Sequence, residues 1–529
     1  MLTGLDESLI KFRGVFFLFL TFNYLKINII KKLLIVLLLI PFVSFGQTTT
    51  TTIVVQSNSI EYDIVIIGGR VIDPETKLDT IKNVGIIQNR IAQISSEPLK
   101  GKQTINATDL VVSPGFIDLH IHGRTNKEQE YQLHDGLTTA LELEWGIENL
   151  KAWYQSRKSK ALINYGASVN WPYERFKTIK KYKDSVDKLY QLSINGESTL
   201  EELVNTIQSA KDENLAQRQI ENTLTNIKAS LAEGGIGIGV PIGYLPETNP
   251  KEMYEVFQLA GELKALVFTH VRHPNIISIQ EVLANAALTD APLHIVHINS
   301  IALGNIQLGL EMVEAAQNKG LDITTELYTY TAASTGLQSA IFTDGWEDRL
   351  GISYNDLQWV DTGERLTKES FETYRKQGGT VIIHMMKPEW IKTGIAASGV
   401  IIASDGMPYA PLAHPRTAGT FSRLLGKYVR EEKVIDLHSA IEKITLLPAK
   451  RLEGISPMMR FKGRLQIGAD ADITIFNPTT ITDKATFEKG LAFSEGIEYV
   501  IVNGIIALQN GKTVSDTFPG QPIFGKFKN

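Results

Sequence analysis

VVSPGFIDLHIHG, residues 111–123, is an apolar run with a Pro114-Gly115 break near its start and two histidines, His120 and His122, at its end. Read as a β-strand, it turns those two side chains to one face, with Cβ atoms about 7 Å apart at ~3.3 Å rise per residue. Leu119 and Ile121 then point the other way, into packing. Zinc–nitrogen bonds are about 2.1 Å long, so two same-face imidazoles can meet on a single ion. In isolation an HxH pair reads better as two hydrogen-bonded core histidines. Asp118 and Gly123, which flank the pair, and further ligands downstream tip the reading toward a metal site at the mouth of a barrel.

The bulk of the chain narrows the chemistry. Its 529 residues, 43% hydrophobic, are enough for one large domain and a smaller one. Lys plus Arg number 53 against 58 Asp plus Glu, for a net charge of −5, and no long basic run is present, so nothing points to nucleic acid. There is no cysteine. Disulfides and thiolate ligands are therefore excluded, and any metal must be held by imidazole and carboxylate.

Residues 31–46, KKLLIVLLLIPFVSFG, carry two lysines, an apolar stretch from Leu33 to Ile40, a break at Pro41 and small residues at Ser44 and Gly46. This is the pattern of an export signal, and it predicts a periplasmic or secreted protein with no stable membrane insertion once residues 1–46 are removed. The apolar patch Val15–Leu20 is interrupted by Asn23 and Lys26, short of the ~18 residues of a spanning helix. Residues 1–46 hold five Lys/Arg and two Asp/Glu, so the mature chain would carry −8. A Thr-rich linker over 47–57 follows. Residues 58–112 then read as short strands punctuated by Gly68-Gly69 and Asp73-Pro74, and the same texture returns over 456–529, which predicts one small β-sandwich built from both ends.

Between them, over 113–455, apolar runs alternate with amphipathic stretches, the pattern of βα units around a parallel sheet. LTTALELE, ALINYGASV, GGIGIGV, ALVFTHV, LHIVHINS, ITTELYTY, TVIIHMM and GVIIASD are strand candidates besides the first at Ile117–Ile121. This predicts an α/β fold, a closed (β/α)8 barrel of TIM type with the small sandwich beside it. The segment Trp346–Gly379 and the polar helices between Tyr173 and Ala232 read as solvated faces or a lid.

Polar residues at strand ends supply the candidate site. His270 ends ALVFTH and His297 lies in LHIVHINS, and with His120 and His122 they make four imidazoles from three strands. His294, three residues before His297, falls on the opposite face by alternation and reads as packing. Asp405 in ASDG reads as an acid/base and metal contact rather than an ordinary Asx-turn. Two close ions need an anion between them, and Glu144 is the first choice for that bridge, with Glu142, on the same face, second. ALINYGASV and GGIGIGV contain no lysine to serve as a carbamylated bridge.

These motifs, together with THVRH, LYTYTAAST, HPRTAGTF, LPAKRL, GADADITIFNP and VIVNG, resemble the amidohydrolase superfamily, and within it the D-aminoacylase (N-acyl-D-amino-acid deacylase) family. The resemblance covers nearly all of the chain after the signal. It implies a barrel holding one or two divalent ions, Zn2+ first among them, that hydrolyses the amide of an N-acyl amino acid of D configuration. By the family pattern His120 and His122 bind one metal position and His270 and His297 the other, with Asp405 as acid/base. Tyr328, Ser334 and Arg416 match positions that hold the substrate carboxylate. Two departures stand out. The family's bridging cysteine is replaced by Glu144 or Trp145, and its HLK by His297-Ile298-Asn299, which removes a cationic contact. A cyclic amidase of the dihydroorotase or hydantoinase kind is the nearest rival, and a non-catalytic exported binding protein is the rival of another class.

Overall fold

The computed structural model describes residues 60–195 and 199–528. The predicted signal and linker lie outside the described residues. No helix among the described residues is long and apolar enough to cross a membrane.

Eight parallel strands run around the central sheet in sequence order. We number them β1 (Phe116–Asp118), β2 (Leu137–Ile147), β3 (Asn164–Asn170), β4 (Ile238–Pro241), β5 (Val267–His270), β6 (Leu293–Ile295), β7 (Ile323–Leu327) and β8 (Ile401–Ile402). Every residue of β2 and β3 is buried, as expected of strands covered on both faces, the polar ones included. The barrel is drawn shut just past the ends of β1 and β8. Ile121 forms a parallel bridge with Gly406, and the His122 N–H donates to the Gly406 carbonyl at 2.6 Å. Asp118 bolts the same seam: its Oδ1 accepts the N–H groups of His120 and Ser404, both at 3.0 Å.

TVIIHMM does not join the barrel. Thr380–Ile383 is instead the middle strand of a three-stranded antiparallel sheet, flanked by Ala333–Gly336 and Leu357–Trp359. Val381 and Ile383 pack into a cluster with Phe342, Trp346, Trp359 and Phe371, while Ile382 packs on the other side with Ala332 and Val360. A strand covered on both faces has the composition of a barrel strand wherever it sits, and that explains the misplacement. The segment Trp346–Gly379 likewise proves to be part of this layer, with its own aromatic core.

The two ends of the chain meet in one nine-stranded sheet, where Ile473–Phe476 pairs antiparallel with Val111–Pro114. Its core draws on both ends: Ile66, Val71 and Val84 with Ile473, Ile475 and Ile501, all fully buried. Each such side chain contributes about 1.5–3 kcal/mol by leaving water. The join holds Val111–Pro114 two residues ahead of β1, and so fixes where the HxH pair begins.

Candidate metal centre

Beyond β1 the chain bends at Leu119, and His120 and His122 point to one common space. Their Nε2 atoms are 3.3 Å apart. Glu144, in the second half of β2, meets both: its Oε2 lies 3.1 Å from each Nε2. Its Oε1 turns to the other pair, 2.8 Å from His270 Nδ1 and 3.5 Å from His297 Nε2. One carboxylate thus stands between two imidazole pairs. Asp405 Oδ1 faces the first pair, 3.4 Å from His120 and 3.2 Å from His122. The five residues expected to gather around an inorganic centre lie together, and Glu144 lies between the two imidazole pairs. Trp145 instead packs on Tyr244, with ring centroids 4.5 Å apart.

Glu142, the second choice for the bridge, meets His122 and Arg124, its Oε2 accepting from His122 Nδ1 at 3.1 Å and from Arg124 Nε at 3.2 Å. The placement of His294 differs from expectation. β6 ends at Ile295, and His297 sits in the left-handed region at φ +33°, so alternation does not carry across the turn between them. His294 faces the site's supporting layer, where its Nε2 meets Glu326 Oε2 at 3.0 Å. Glu326, on β7, meets His120 Nδ1 with its other oxygen at 2.5 Å. Sequence reasoning missed Glu326. The available signal was a lone acid inside an otherwise apolar and hydroxyl-bearing strand, ITTEL. Asp405, like His297, is held left-handed, at φ +52°. Such backbone costs on the order of 1–3 kcal/mol per residue and collects at functional sites.

The charge balance fits a cation. Burial by itself would lower the His120 and His122 pKa values, yet the surrounding carboxylates hold His120 well above its ordinary value and lift His122 to about 10. The constellation therefore demands positive charge at its centre. A divalent ion among these nitrogens and oxygens meets that demand while leaving the rings neutral, and a donor set of imidazole and carboxylate without sulfur suits zinc. Three overlapping triads have ligand atoms close enough to share an ion: His120–His297–Asp405, His120–His122–Glu144 and Glu144–His270–His297. Burial would raise Glu326, but His120 and His294 bring it down to about 2.

Arg416 Nη1 lies 2.9 Å from Asp405 Oδ2, and its guanidinium stacks on the Tyr328 ring at 4.6 Å. Arg416 Nε and the Tyr328 hydroxyl find no hydrogen-bond partner among the described residues. Ser334 stands in the wall of the cavity, with its hydroxyl donating to the Val381 carbonyl at 3.1 Å. Asn299, the departure from the family's HLK, is buried and donates to the Tyr328 carbonyl at 3.3 Å. The centre opens into a cavity of about 680 Å³, walled on one side by Glu144, His270, His297 and Asp405 and on the other by the three-stranded layer.

No family model matches the chain. It is 28% identical over 477 residues to a D-aminoacylase of Alcaligenes xylosoxydans xylosoxydans, a match covering 85% of this chain and 95% of that one. An N-acyl-D-glutamate deacylase of the same organism matches at 27% over 472 residues, 84% of this chain and 93% of the other. A dihydroorotase of Streptococcus pneumoniae serotype 4 is more distant, 23% identical over 469 residues. Among solved structures, an N-acyl-D-glutamate deacylase of Bordetella bronchiseptica, complexed with zinc and a phosphonate mimic of the tetrahedral intermediate, superposes with a TM-score of 0.74. It covers 88% of this chain and all of the other at 22% identity, and so shares the fold.

Proposed function

We propose, from the premise that this chain is a homologue of the D-aminoacylase group of amidohydrolases, that it removes the acyl group from N-acyl-D-amino acids by metal-dependent hydrolysis. The observation that carries the reading is Glu144, whose two oxygens face two separate imidazole pairs with Asp405 beside the first. His120, His122, His270, His297, Glu144 and Asp405 would hold one or two zinc ions. A divalent cation bound there lowers the pKa of water from 15.7 towards about 7 and polarises the scissile carbonyl.

The chain's own residues supply the proton traffic and the aim. Asp405 accepts the water's proton as the water oxygen bonds to the acyl carbon. It then returns that proton to the amine nitrogen as the C–N bond breaks, because the amine is too basic to leave unprotonated. The products are a carboxylic acid and a free amino acid. Arg416 keeps Asp405 ionised. Its spare Nε–H and the Tyr328 hydroxyl are buried donors that a carboxylate-bearing substrate would satisfy, with Ser334 at the cavity side. Holding that carboxylate fixes which carbonyl faces the water.

The test is an assay of purified protein on N-acetyl-D-amino acids, their L enantiomers, dihydroorotate and a hydantoin, with and without chelator. Hydrolysis of the D series alone, abolished by chelator and restored by zinc, is expected. Ring opening of the cyclic amides without deacylation would overturn it. The lysines, apolar core and small residues of 31–46 support export to the periplasm or beyond. An intact residue 1 on protein recovered from the cytoplasm alone would contradict that.

A further inference from the structure

We propose that Glu326, held in turn by His294, is a positioning residue that fixes the tautomer and ring orientation of His120 and so presents its Nε2 to the ion. The inference rests on the metal-binding reading above and adds a supporting layer to it. Its basis is a chain of polar contacts with one consistent direction. An ionised carboxylate can only accept, so each ring nitrogen that meets Glu326 must carry a proton. His120 Nδ1–H donates to Oε1 at 2.5 Å and His294 Nε2–H to Oε2 at 3.0 Å. That leaves His294 Nδ1 as an acceptor, and the Thr324 hydroxyl, 2.7 Å away, supplies the matching donor. It also leaves the lone pair of His120 on Nε2, the nitrogen that faces Glu144, His122 and Asp405.

The fold builds this chain from two neighbouring strands. His294 and Thr324 are register partners across β6 and β7, and Glu326 lies two residues beyond Thr324 on the same face. His120, His294 and Glu326 are each 1% exposed or less, so the contacts are not traded with solvent. A carboxylate behind a ligating imidazole raises its basicity and fixes its orientation, and loss of such a partner typically costs 10- to 100-fold in metal affinity. His122 has the equivalent partner in Glu142, but through a carboxylate that Arg124 also shares. Only the Glu326 arm continues to a second imidazole.

The full-length mature chain, stripped of metal with chelator and titrated with zinc and with cobalt, tests the proposal without any substrate. Glu326→Gln, which keeps shape but offers an N–H to one of its partners, should weaken zinc binding about 10- to 100-fold and change the cobalt absorption spectrum. At saturating zinc, kcat should fall while KM stays. His294→Gln, which can still donate to Glu326, should bind zinc close to wild type, whereas His294→Leu should weaken it. Thr324→Val, the mildest change, keeps the test open should Glu326→Gln fail to fold, and should weaken zinc binding least, in the same direction. Zinc affinity and cobalt spectrum unchanged in Glu326→Gln, or in both His294→Leu and Thr324→Val, would overturn the proposal. Because these readouts involve no hydrolysis, a wild type that binds zinc yet deacylates nothing would sink the functional reading and leave the relay standing.

Discussion

The cavity has two walls, and they are built on opposite plans. The barrel wall is polar and over-determined: Glu144, His270, His297 and Asp405 each have charged or ring partners within about 3.5 Å, fixed at the ends of parallel strands. The facing wall, from Ala333–Gly336 round to Thr380–Ile383, presents mainly small, hydroxyl-bearing and apolar residues, with Gln338 and Arg349 among them, backed by its own aromatic core. The difference teaches a division of labour. Chemistry sits where strand ends hold geometry, and recognition sits on an inserted layer that can change shape without disturbing the ligands.

Four substitutions would break or sharpen that division. Asp405→Asn strikes the barrel wall and should lower kcat about 10²- to 10⁴-fold while metal, held by five other side chains, is retained. Steady-state kinetics beside elemental analysis reads both, and a variant with wild-type kcat would remove Asp405 from the mechanism. Trp359→Ala strikes the facing wall's core, where the indole is stacked on Tyr374 at a centroid distance of 4.4 Å. It should cost about 3–5 kcal/mol in denaturant unfolding, and raise KM more than it lowers kcat. A kcat loss matching that of Asp405→Asn would refute the separation of roles.

A smaller change, Ile341→Ala, widens the cavity on the apolar side. It should shift kcat/KM between small and bulky substrates by about tenfold, the scale set by one or two methylenes in an apolar pocket. Competition between paired N-acyl substrates measures this directly, and an unchanged preference would place recognition elsewhere. The weakest effect concerns pH. His384 closes the Thr380–Ile383 strand, with Nε2 3.0 Å from Gln358 Oε1, and burial first, then Arg365, lowers its pKa from 6.5 to about 4. The unfolded chain therefore binds the extra proton between those values. The stability this neutral ring contributes is complete above pH 6.5 and is lost as pH falls through 6.5 towards 4. Melting curves across that window should be flatter for His384→Asn than for wild type; identical slopes would show that this ring is not what senses acid.

Much of the barrel wall was legible in the sequence because each ligand sits at the end of its own apolar run. HxH, ALVFTH and ASDG mark strand termini as plainly as they mark chemistry. Glu144 could be singled out because the absence of cysteine and of a strand lysine left few anions for the place. What stayed hidden depended on contacts between strands. Glu326 is one acid in ITTEL, and only the pairing of β6 with β7 brings His294 and Thr324 beside it. The alternation argument that sent His294 outward failed because the chain leaves the extended conformation before His297. Nor does an apolar run such as TVIIHMM say which sheet it belongs to. The contact of Arg416 with Asp405 and its stacking on Tyr328 likewise follow from packing that no motif records.

The central claim is that Glu144 and four imidazoles enclose a metal. Elemental analysis of the purified chain, beside Glu144→Gln prepared identically, tests it most directly. The account predicts one or two equivalents of zinc per wild-type chain and a clear loss in Glu144→Gln. A wild type free of divalent metal, or a Glu144→Gln variant with the full wild-type complement, would contradict it.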